Sequence, residues 1–275
     1  MSTLYLVATP IGNLEDISAR ALRVLREVCL VAAEDTRHSG KLLAHFDIHT
    51  QLVSYHEHNK LVRLDHILAK LEQGDVALIS DAGTPALNDP GFELVRAALR
   101  AGHNVSPVPG PSAPLAALVA SGLPTDTFLY LGYLPRKRAE RQRLLGKIAS
   151  LEYTLIFLET PHRLLEALQD LETALGERQI AVARELTKLH EEILRGTLSQ
   201  ARQHFLASAP RGEFTLVVAG CPAGQVRWSA EQLQAAVEQA IQAREPTSQA
   251  ARRLAAESGW SKSQVYALLV GALPE

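Results

Sequence analysis

The stretch Val76-Ala77-Leu78-Ile79-Ser80-Asp81-Ala82-Gly83-Thr84-Pro85 is an apolar run that ends in a loop rich in glycine and proline. The same pattern occurs twice more, where residues 4–6 run into 7–14 and residues 105–108 run into 109–113. Such loops lie at the carboxyl edge of a parallel sheet, where open α/β folds bind ligands. The three loops together predict a ligand site, although each alone also fits an ordinary strand-to-helix connection.

Strand and helix signals alternate along the first 120 residues, which predicts a mostly parallel sheet covered by helices. Ser18 is the predicted N-cap of a helix over 19–27, and leucines at helical spacing predict another helix over 61–71. The predicted strands of this region are 4–8, 28–33, 51–54, 76–80 and 104–108.

A second series of strand signals follows the break at Gly122-Leu123-Pro124. From Ser229 onward the pattern is helical, with Ser229 and Gln232 as a capping box. Residues 247–266 resemble a helix-turn-helix, but a small helical bundle packed on the main body fits equally well, because 226–275 carries five basic and five acidic residues. Further strands are predicted at 128–133, 153–158, 180–183 and 214–219. The predicted domains are two α/β domains, 1–123 and 124–223, and a small all-helical C-terminal domain, 224–275.

Composition narrows the class of protein. The 275 residues are 47% hydrophobic with a net charge of −2, which fits a soluble globular chain. Cys29 and Cys221 have no metal or disulfide spacing, and no apolar run approaches the roughly 20 residues that cross a bilayer. We therefore expect a cytoplasmic protein with no signal peptide, no membrane association and no metal. No G-x-G-x-x-G or Walker A motif is present, which argues against NAD and ATP chemistry.

A series of distinctive motifs spans about residues 1–222. The motifs are TLYLVATPIGNLEDI (3–17), AEDTR (33–37), SYHEHN (54–59), SDAGTP (80–85), PGPSA (109–113), LGYLP (131–135), ETPHR (159–163), ARELTK (183–188) and GEF (212–214). Together they resemble the tetrapyrrole-methylase superfamily, and most closely its RNA-modifying bacterial branch. Corrin-making relatives usually have a Gly-Pro-Gly-like first loop, whereas this chain has Thr9-Pro10-Ile11-Gly12.

The resemblance implies two α/β domains with S-adenosyl-L-methionine in the cleft between them. It also implies a homodimer that methylates the 2′-oxygen of a cytidine ribose in the decoding region of 16S rRNA, within the small ribosomal subunit. Carried over by position, the cofactor contacts fall on the three loops and one later strand. These residues are Ile11, Asp81, Ala82, Gly83, Thr84, Ser112, Ala113 and Leu158.

Methyl transfer to a ribose hydroxyl requires alignment and help with the loss of a weakly acidic proton. The candidate bases are Asp35, Glu159 and Glu185. Arg37, Arg163 and Lys188 could orient phosphate or lower the hydroxyl pKa. Each of these charged groups could instead be an ordinary solvated charge or half of an ion pair.

Two further motifs suggest substrate contacts. His56-Glu57-His58 could hold a metal if it lay in a strand, but a loop that faces the substrate is the preferred interpretation. A basic cluster after residue 135 could bind the phosphate backbone of RNA, although such runs also occur as solvated helix faces. Its predicted RNA-binding residues are Arg136, Lys137, Arg138, Arg141 and Arg143, with Lys147 nearby.

Two other functions remain open. A small-molecule methyltransferase of the same fold, acting on a tetrapyrrole precursor, would leave the basic cluster and the helical tail without a role. A non-catalytic regulator would bind nucleic acid through 226–275 and use the cleft only to sense a ligand.

Overall fold

The computed structural model describes residues 2–222, 228–243 and 245–271. The chain divides into two compact units. The first unit comprises Met1–Ala116 with Glu185–Glu191, and the second comprises Ala117–Arg184 with Glu192–Glu275. The boundaries 1–123, 124–223 and 224–275 stay a prediction.

The first unit contains the predicted alternation of strands and helices. Its strands are β1 (Thr3–Val7), β2 (Leu30–Ala33), β3 (Leu52–Ser54), β4 (Val76–Ile79) and β5 (Asn104–Val108). They form one parallel sheet in the order β3-β2-β4-β1-β5. The helices are α1 (Ala19–Glu27), α2 (Thr36–His45), α3 (Lys60–Leu71) and α4 (Phe92–Arg100), with a 3-10 turn at Leu14–Asp16. A fifth helix, α5 (Ala113–Ser121), begins in the first unit and continues into the second. The prediction of a parallel, helix-covered sheet is therefore confirmed.

Both faces of this sheet are buried, which explains the continuous apolar runs of its central strands. Every residue of β2 and β4 is buried. Alternate residues serve different cores: Val76 and Leu78 pack on one side, and Ala77 and Ile79 on the other. The β4 strand therefore ends deep inside the unit, and the loop that begins at Ser80 starts from a fixed position.

The second unit has a mixed sheet. Its strands are β6 (Phe128–Tyr133), β7 (Thr154–Glu159), β8 (Gln179–Arg184), β9 (Glu192–Thr197) and β10 (Phe214–Val218), in the order β6-β7-β10-β8-β9. Only the β6–β7 pair is parallel. Three helices accompany the sheet: α6 (Arg138–Ile148), α7 (Leu164–Leu175) and α8 (Leu198–Ala207).

The strand β9 was not predicted from the sequence. Its residues Glu-Ile-Leu-Arg-Gly-Thr contain only two strongly apolar side chains, and none of the six is fully buried. Because β9 is an edge strand that pairs only with β8, it lacks the apolar signal of a central strand.

Helices alone are described after residue 228. They are α9 (Ala230–Gln242), α10 (Thr247–Ser258) and α11 (Lys262–Gly271), which share one apolar core. Ser229 and Gln232 form the predicted capping box. Gly259, with φ of 68°, ends α10 in the left-handed conformation, and a three-residue turn leads into α11. The helical C-terminal segment is confirmed, and none of the described helices is long and apolar enough to span a membrane.

Candidate functional site

The three glycine- and proline-rich loops converge at the carboxyl edge of the first sheet. Thr9 of the first loop and Gly83 of the second exchange two backbone hydrogen bonds, of 2.9 and 3.0 Å. Thr84 of the second loop donates its hydroxyl to the carbonyl of Pro111 in the third, at 3.3 Å. The ligand loops predicted separately from the sequence therefore form one structure.

Glycine is required at the centre of this structure. Gly83 has a φ of +80°, which side chains disfavour, and a Cβ there would lie 3.4 Å from Ile11 Cγ2 and 3.9 Å from the Pro111 carbonyl oxygen. At Gly110, a Cβ would approach the Cβ of Ala8 to 3.0 Å. Backbone conformation therefore favours glycine at position 83, and the close approach of Ala8 favours it at position 110.

The structure places most predicted cofactor residues on these loops. Leu158 is the exception, since it lies on β7 in the second unit. The loop residues are Ile11, Asp81, Ala82, Gly83, Thr84, Ser112 and Ala113. Their role in binding stays a prediction.

Asp81 and Glu34 connect the second loop to the end of β2. The Asp81 carboxylate accepts a hydrogen bond from the backbone N–H of Asp35, at 3.0 Å. The Glu34 carboxylate in turn accepts one from the backbone of Asp81. Two reciprocal side-chain-to-backbone bonds therefore hold Asp81 in place.

Glu34 and Asp89 are carboxylates of this site that the sequence reasoning missed. Burial raises the pKa of Glu34, and the Asp89 and Asp81 carboxylates raise it further. Burial also raises the pKa of Asp89. Glu34 lies beside the candidate Asp35, so its position at the end of β2 was the available signal.

The raised pKa of Glu34 predicts a pH-dependent effect on stability. The contribution of Glu34 to the stability of the folded state is fully present below its ordinary pKa of 4.5. This contribution is lost as the pH rises through the raised pKa of the folded state. We therefore expect Glu34→Gln, which keeps an acceptor for the Asp81 N–H, to raise the melting temperature at neutral pH. No change is expected well below pH 4.5, where Glu34 is protonated in both the folded and the unfolded state. Calorimetry across this range would contradict the assignment if both proteins melted alike throughout.

Asp35 acts mainly as a helix cap. Its side chain accepts the backbone N–H of Arg37 at 2.8 Å at the start of α2, and the Arg37 guanidinium binds the same carboxylate at 2.9 Å. These bonds with Arg37 hold the pKa of Asp35 well below its usual range. A carboxylate stabilised in this way is a weak proton acceptor, which lowers the rank of Asp35 as a base.

Glu185 and Lys188 form an ion pair of 3.0 Å within the first unit. Their segment, Glu185–Glu191, connects two strands of the second unit, yet it packs with the first. A Cβ built on Gly12 would lie only 2.4 Å from Lys188 Cγ, so this segment rests directly on the first loop. The structure thus brings two predicted catalytic residues to a predicted cofactor loop.

Glu159, at the end of β7, is enclosed in the second unit. It is 2% exposed, and burial raises its pKa. Its carboxylate accepts the Thr160 N–H at 2.9 Å and lies 3.5 Å from Arg163, which donates to the Leu134 carbonyl at 2.6 Å. Both charges therefore have structural partners, as the alternative interpretation proposed.

The basic cluster separates into exposed and buried members. Arg136, Lys137, Arg138 and Arg143 are exposed. Arg141 is 1% exposed and binds the buried Asp170 at 2.7 Å. Because its guanidinium is buried, Arg141 cannot contact RNA as predicted, and its role is structural.

His56-Glu57-His58 lies in a turn after β3, so the two imidazoles do not share a strand face. Asn59 accepts the His56 backbone N–H at 2.8 Å, and Lys60 pairs with Glu57 at 2.8 Å. Across 2–222, 228–243 and 245–271, no group of three histidine, cysteine or acidic side chains could hold a metal ion.

Comparisons with known proteins agree with this architecture. Residues 3–202 match the family model described as Tetrapyrrole (Corrin/Porphyrin) Methylases. Ribosomal RNA small subunit methyltransferase I of Synechocystis is 50% identical over 98% of this chain and 97% of its own length. The Pseudomonas aeruginosa protein of the same name is 48% identical over 96% and 95%. The crystal structure of uroporphyrin-III-C-methyltransferase from Thermus thermophilus superposes with a TM-score of 0.54 at 25% identity, covering 80% of this chain and 94% of that one.

Proposed function

The chain belongs to the tetrapyrrole (corrin/porphyrin) methylase family, and from this premise we propose that it is an S-adenosylmethionine-dependent methyltransferase of ribosomal RNA. The proposed acceptor is the 2′-oxygen of a cytidine ribose in the decoding region of 16S rRNA in the small ribosomal subunit. The observation that carries the proposal is the identity of about half of all residues, over nearly the whole chain, with ribosomal RNA methyltransferases.

The loop cluster fits S-adenosylmethionine. The loops offer backbone groups and small side chains at a sheet edge, together with carboxylates that suit a cationic ligand. Among the residues that the structure describes, no arginine or lysine forms an ion pair with Asp81, Glu34 or Asp89. Ile11, Asp81 and Thr84 would hold the cofactor, with Ser112 and Ala113 at the start of α5.

When bound, S-adenosylmethionine supplies an activated methyl group on a positively charged sulfur. The loops would fix its position, because alignment of the reacting atoms supplies most of the rate in such a transfer. The Lys188 ammonium would lower the pKa of the ribose hydroxyl and stabilise the developing negative oxygen. Glu185, 3.0 Å from that ammonium, would orient it, and the hydroxyl proton released as the 2′-oxygen takes the methyl group from sulfur would pass to solvent or to this carboxylate.

The decisive experiment incubates the chain with labelled S-adenosylmethionine and undermethylated small ribosomal subunits. We expect one methyl group on a ribose, found by mass spectrometry, and resistance of the adjacent bond to alkali, since that cleavage needs a free 2′-oxygen. A tetrapyrrole precursor serves as the competing substrate. A methyl group on a base, or methylation of the tetrapyrrole alone, would refute the proposal.

Asp81→Asn tests the cofactor site. The amide keeps an oxygen for the Asp35 N–H but removes the charge, so we expect weaker binding of S-adenosylmethionine by about 1.5–3 kcal/mol, or roughly 10- to 150-fold. Isothermal titration calorimetry measures the change. Asp65→Asn, on the exposed face of α3, is the matched control and should bind normally. Equal affinity of both variants would remove Asp81 from the site.

The exposed basic residues are proposed to bind the phosphates of ribosomal RNA. Changing Arg136, Lys137 and Arg143 to alanine should weaken RNA binding and reduce its salt dependence, by about 0.7–0.9 in slope for each phosphate that is no longer neutralised. Affinity for S-adenosylmethionine should not change. A control that removes as much charge from exposed positions of the first unit should keep the wild-type slope, and its residues are Arg23, Arg63 and Arg100. An unchanged slope in the first variant would make the cluster an ordinary solvated face.

The resemblance also supports a homodimer that acts in the cytoplasm, and both are part of this proposal. Light scattering coupled to size exclusion measures the oligomeric state. A monomer at micromolar concentration that still methylates subunits would refute the dimer while leaving the activity intact.

A further inference from the structure

The first loop and segment Glu185–Glu191 lie close together at Gly12. A Cβ on Gly12 would lie 2.4 Å from Lys188 Cγ, 2.8 Å from Thr187 Oγ1 and 3.0 Å from the Leu186 carbonyl oxygen. The Lys188 chain is flexible, but the Leu186 carbonyl belongs to the backbone. Any side chain at position 12 must therefore displace either the segment or the loop.

The segment itself is held in a strained conformation. Glu185 and Thr187 have φ values of +51° and +65°, in the left-handed region that residues other than glycine seldom adopt. The Thr187 hydroxyl is buried and has no hydrogen-bond partner among the described residues. The Glu191 carboxylate accepts the Thr187 N–H at 2.6 Å, and the Glu191 N–H donates to the Lys188 carbonyl at 3.1 Å. Strain of this kind persists only where surrounding contacts enforce it, and it is common at functional sites.

We propose that Gly12 is a positioning residue for Lys188. The missing side chain lets residues 186–188 rest on the loop that also carries Ile11, so that loop and lysine move together. This inference rests on the proposed function, because it assigns a role to Lys188 in methyl transfer. Its consequence is a coupling between two events: cofactor binding at the first loop fixes the Lys188 ammonium, and a displaced Lys188 segment loosens the loop.

The coupling can be tested on the wild-type chain by hydrogen exchange. Hydrogen exchange of residues 186–191 should slow when S-adenosylmethionine is added to the wild-type chain, because the loop on which they rest becomes ordered. Exchange in the segment that does not respond to a bound cofactor would overturn the inference. Absence of cofactor binding and of methylation would instead refute the proposed function, so the two failures are distinguishable.

Gly12→Ala tests the positioning directly. We expect kcat to fall by about 100-fold, the size of effect that a displacement of about 1 Å produces, with a much smaller change in cofactor affinity. The cofactor-dependent protection of 186–191 should also disappear. Gly40→Ala, within α2, is the matched control, since a Cβ there would lie 3.8 Å from Leu52 Cδ1, an ordinary contact distance, and its kinetics should be normal.

A double-mutant cycle separates positioning from general damage. If Gly12 acts through Lys188, then Gly12→Ala combined with Lys188→Met should be no slower than Lys188→Met alone. A merely structural defect would instead multiply the two losses. Rate losses that multiply in a folded double variant would overturn the inference, and so would a wild-type kcat in Gly12→Ala.

Discussion

Replacing Arg141 with methionine is expected to lower the free energy of unfolding by about 3 kcal/mol, because it leaves the buried Asp170 carboxylate with only the more distant Arg138 guanidinium, at 3.6 Å, as its counter-charge. The Arg141 Nε donates to Asp170 at 2.7 Å, and its Nη2 contacts Glu166 at 2.5 Å. A further nitrogen donates to the Pro135 carbonyl at 3.1 Å. Asp170 is only 3% exposed, so water cannot replace the missing guanidinium. Chemical denaturation followed by circular dichroism measures the loss of stability.

Arg143→Met is the control for that prediction. Arg143 lies on the same helix but is exposed, so its replacement should change stability by no more than about 0.5 kcal/mol. Arg141→Met combined with Asp170→Leu should recover most of the stability, since replacing both members of a buried pair with apolar groups is often neutral. Equal stability of the Arg141 and Arg143 variants would show that the pair contributes little.

The burial of Arg141 could have been recognised in part from helical periodicity. Arg141, Leu145 and Ile148 recur at helical spacing and form the buried stripe of α6. The charge of the basic run predicts an exposed side chain at this position, whereas the helical spacing predicts a buried one. The acidic partner Asp170 lies on α7, however, and no local pattern indicates that the two helices bring these residues together.

Most of the fold was predictable because buried parallel strands leave continuous apolar runs. The runs that became β2 and β4 were recognised for this reason, and the convergence of their loops follows from the parallel topology. The edge strand β9 and the placement of Glu185–Glu191 were not predictable. Both depend on tertiary contacts that leave little trace in the local sequence.

The candidate site, too, was only partly predictable from the sequence. The sequence motifs predict that Ile11, Asp81 and Thr84 lie on loops. The hydrogen bonds among Glu34, Asp35 and Asp81, however, are seen only in the structure. Those bonds change the ranking of proton acceptors. Asp35, one of the three candidate bases predicted from the sequence, has a lowered pKa, whereas the neighbouring Glu34 has a raised one.

Lys188→Met is expected to lower kcat for ribose methylation by about 100- to 1,000-fold, the usual loss when one group that stabilises a developing oxyanion is removed. Methionine keeps most of the aliphatic chain that packs against Gly12, so the segment should stay in place and only the charge is removed. Affinity for S-adenosylmethionine should change little. Single-turnover methylation of undermethylated subunits, at saturating cofactor, measures the chemical step.

Two further variants decide what the lysine does. Lys41→Met removes an exposed lysine of α2 and should react at the wild-type rate, which controls for the loss of one positive charge from the unit.

Glu185→Gln removes the charged partner of Lys188 but keeps a polar group, so it should reduce the rate less than Lys188→Met if the carboxylate only orients the ammonium. If Glu185 is instead the base that accepts the ribose proton, its replacement should reduce the rate at least as much, and the remaining activity should no longer rise with pH. An unchanged rate in Lys188→Met would remove the ion pair from the mechanism and leave alignment by the three loops as the source of catalysis.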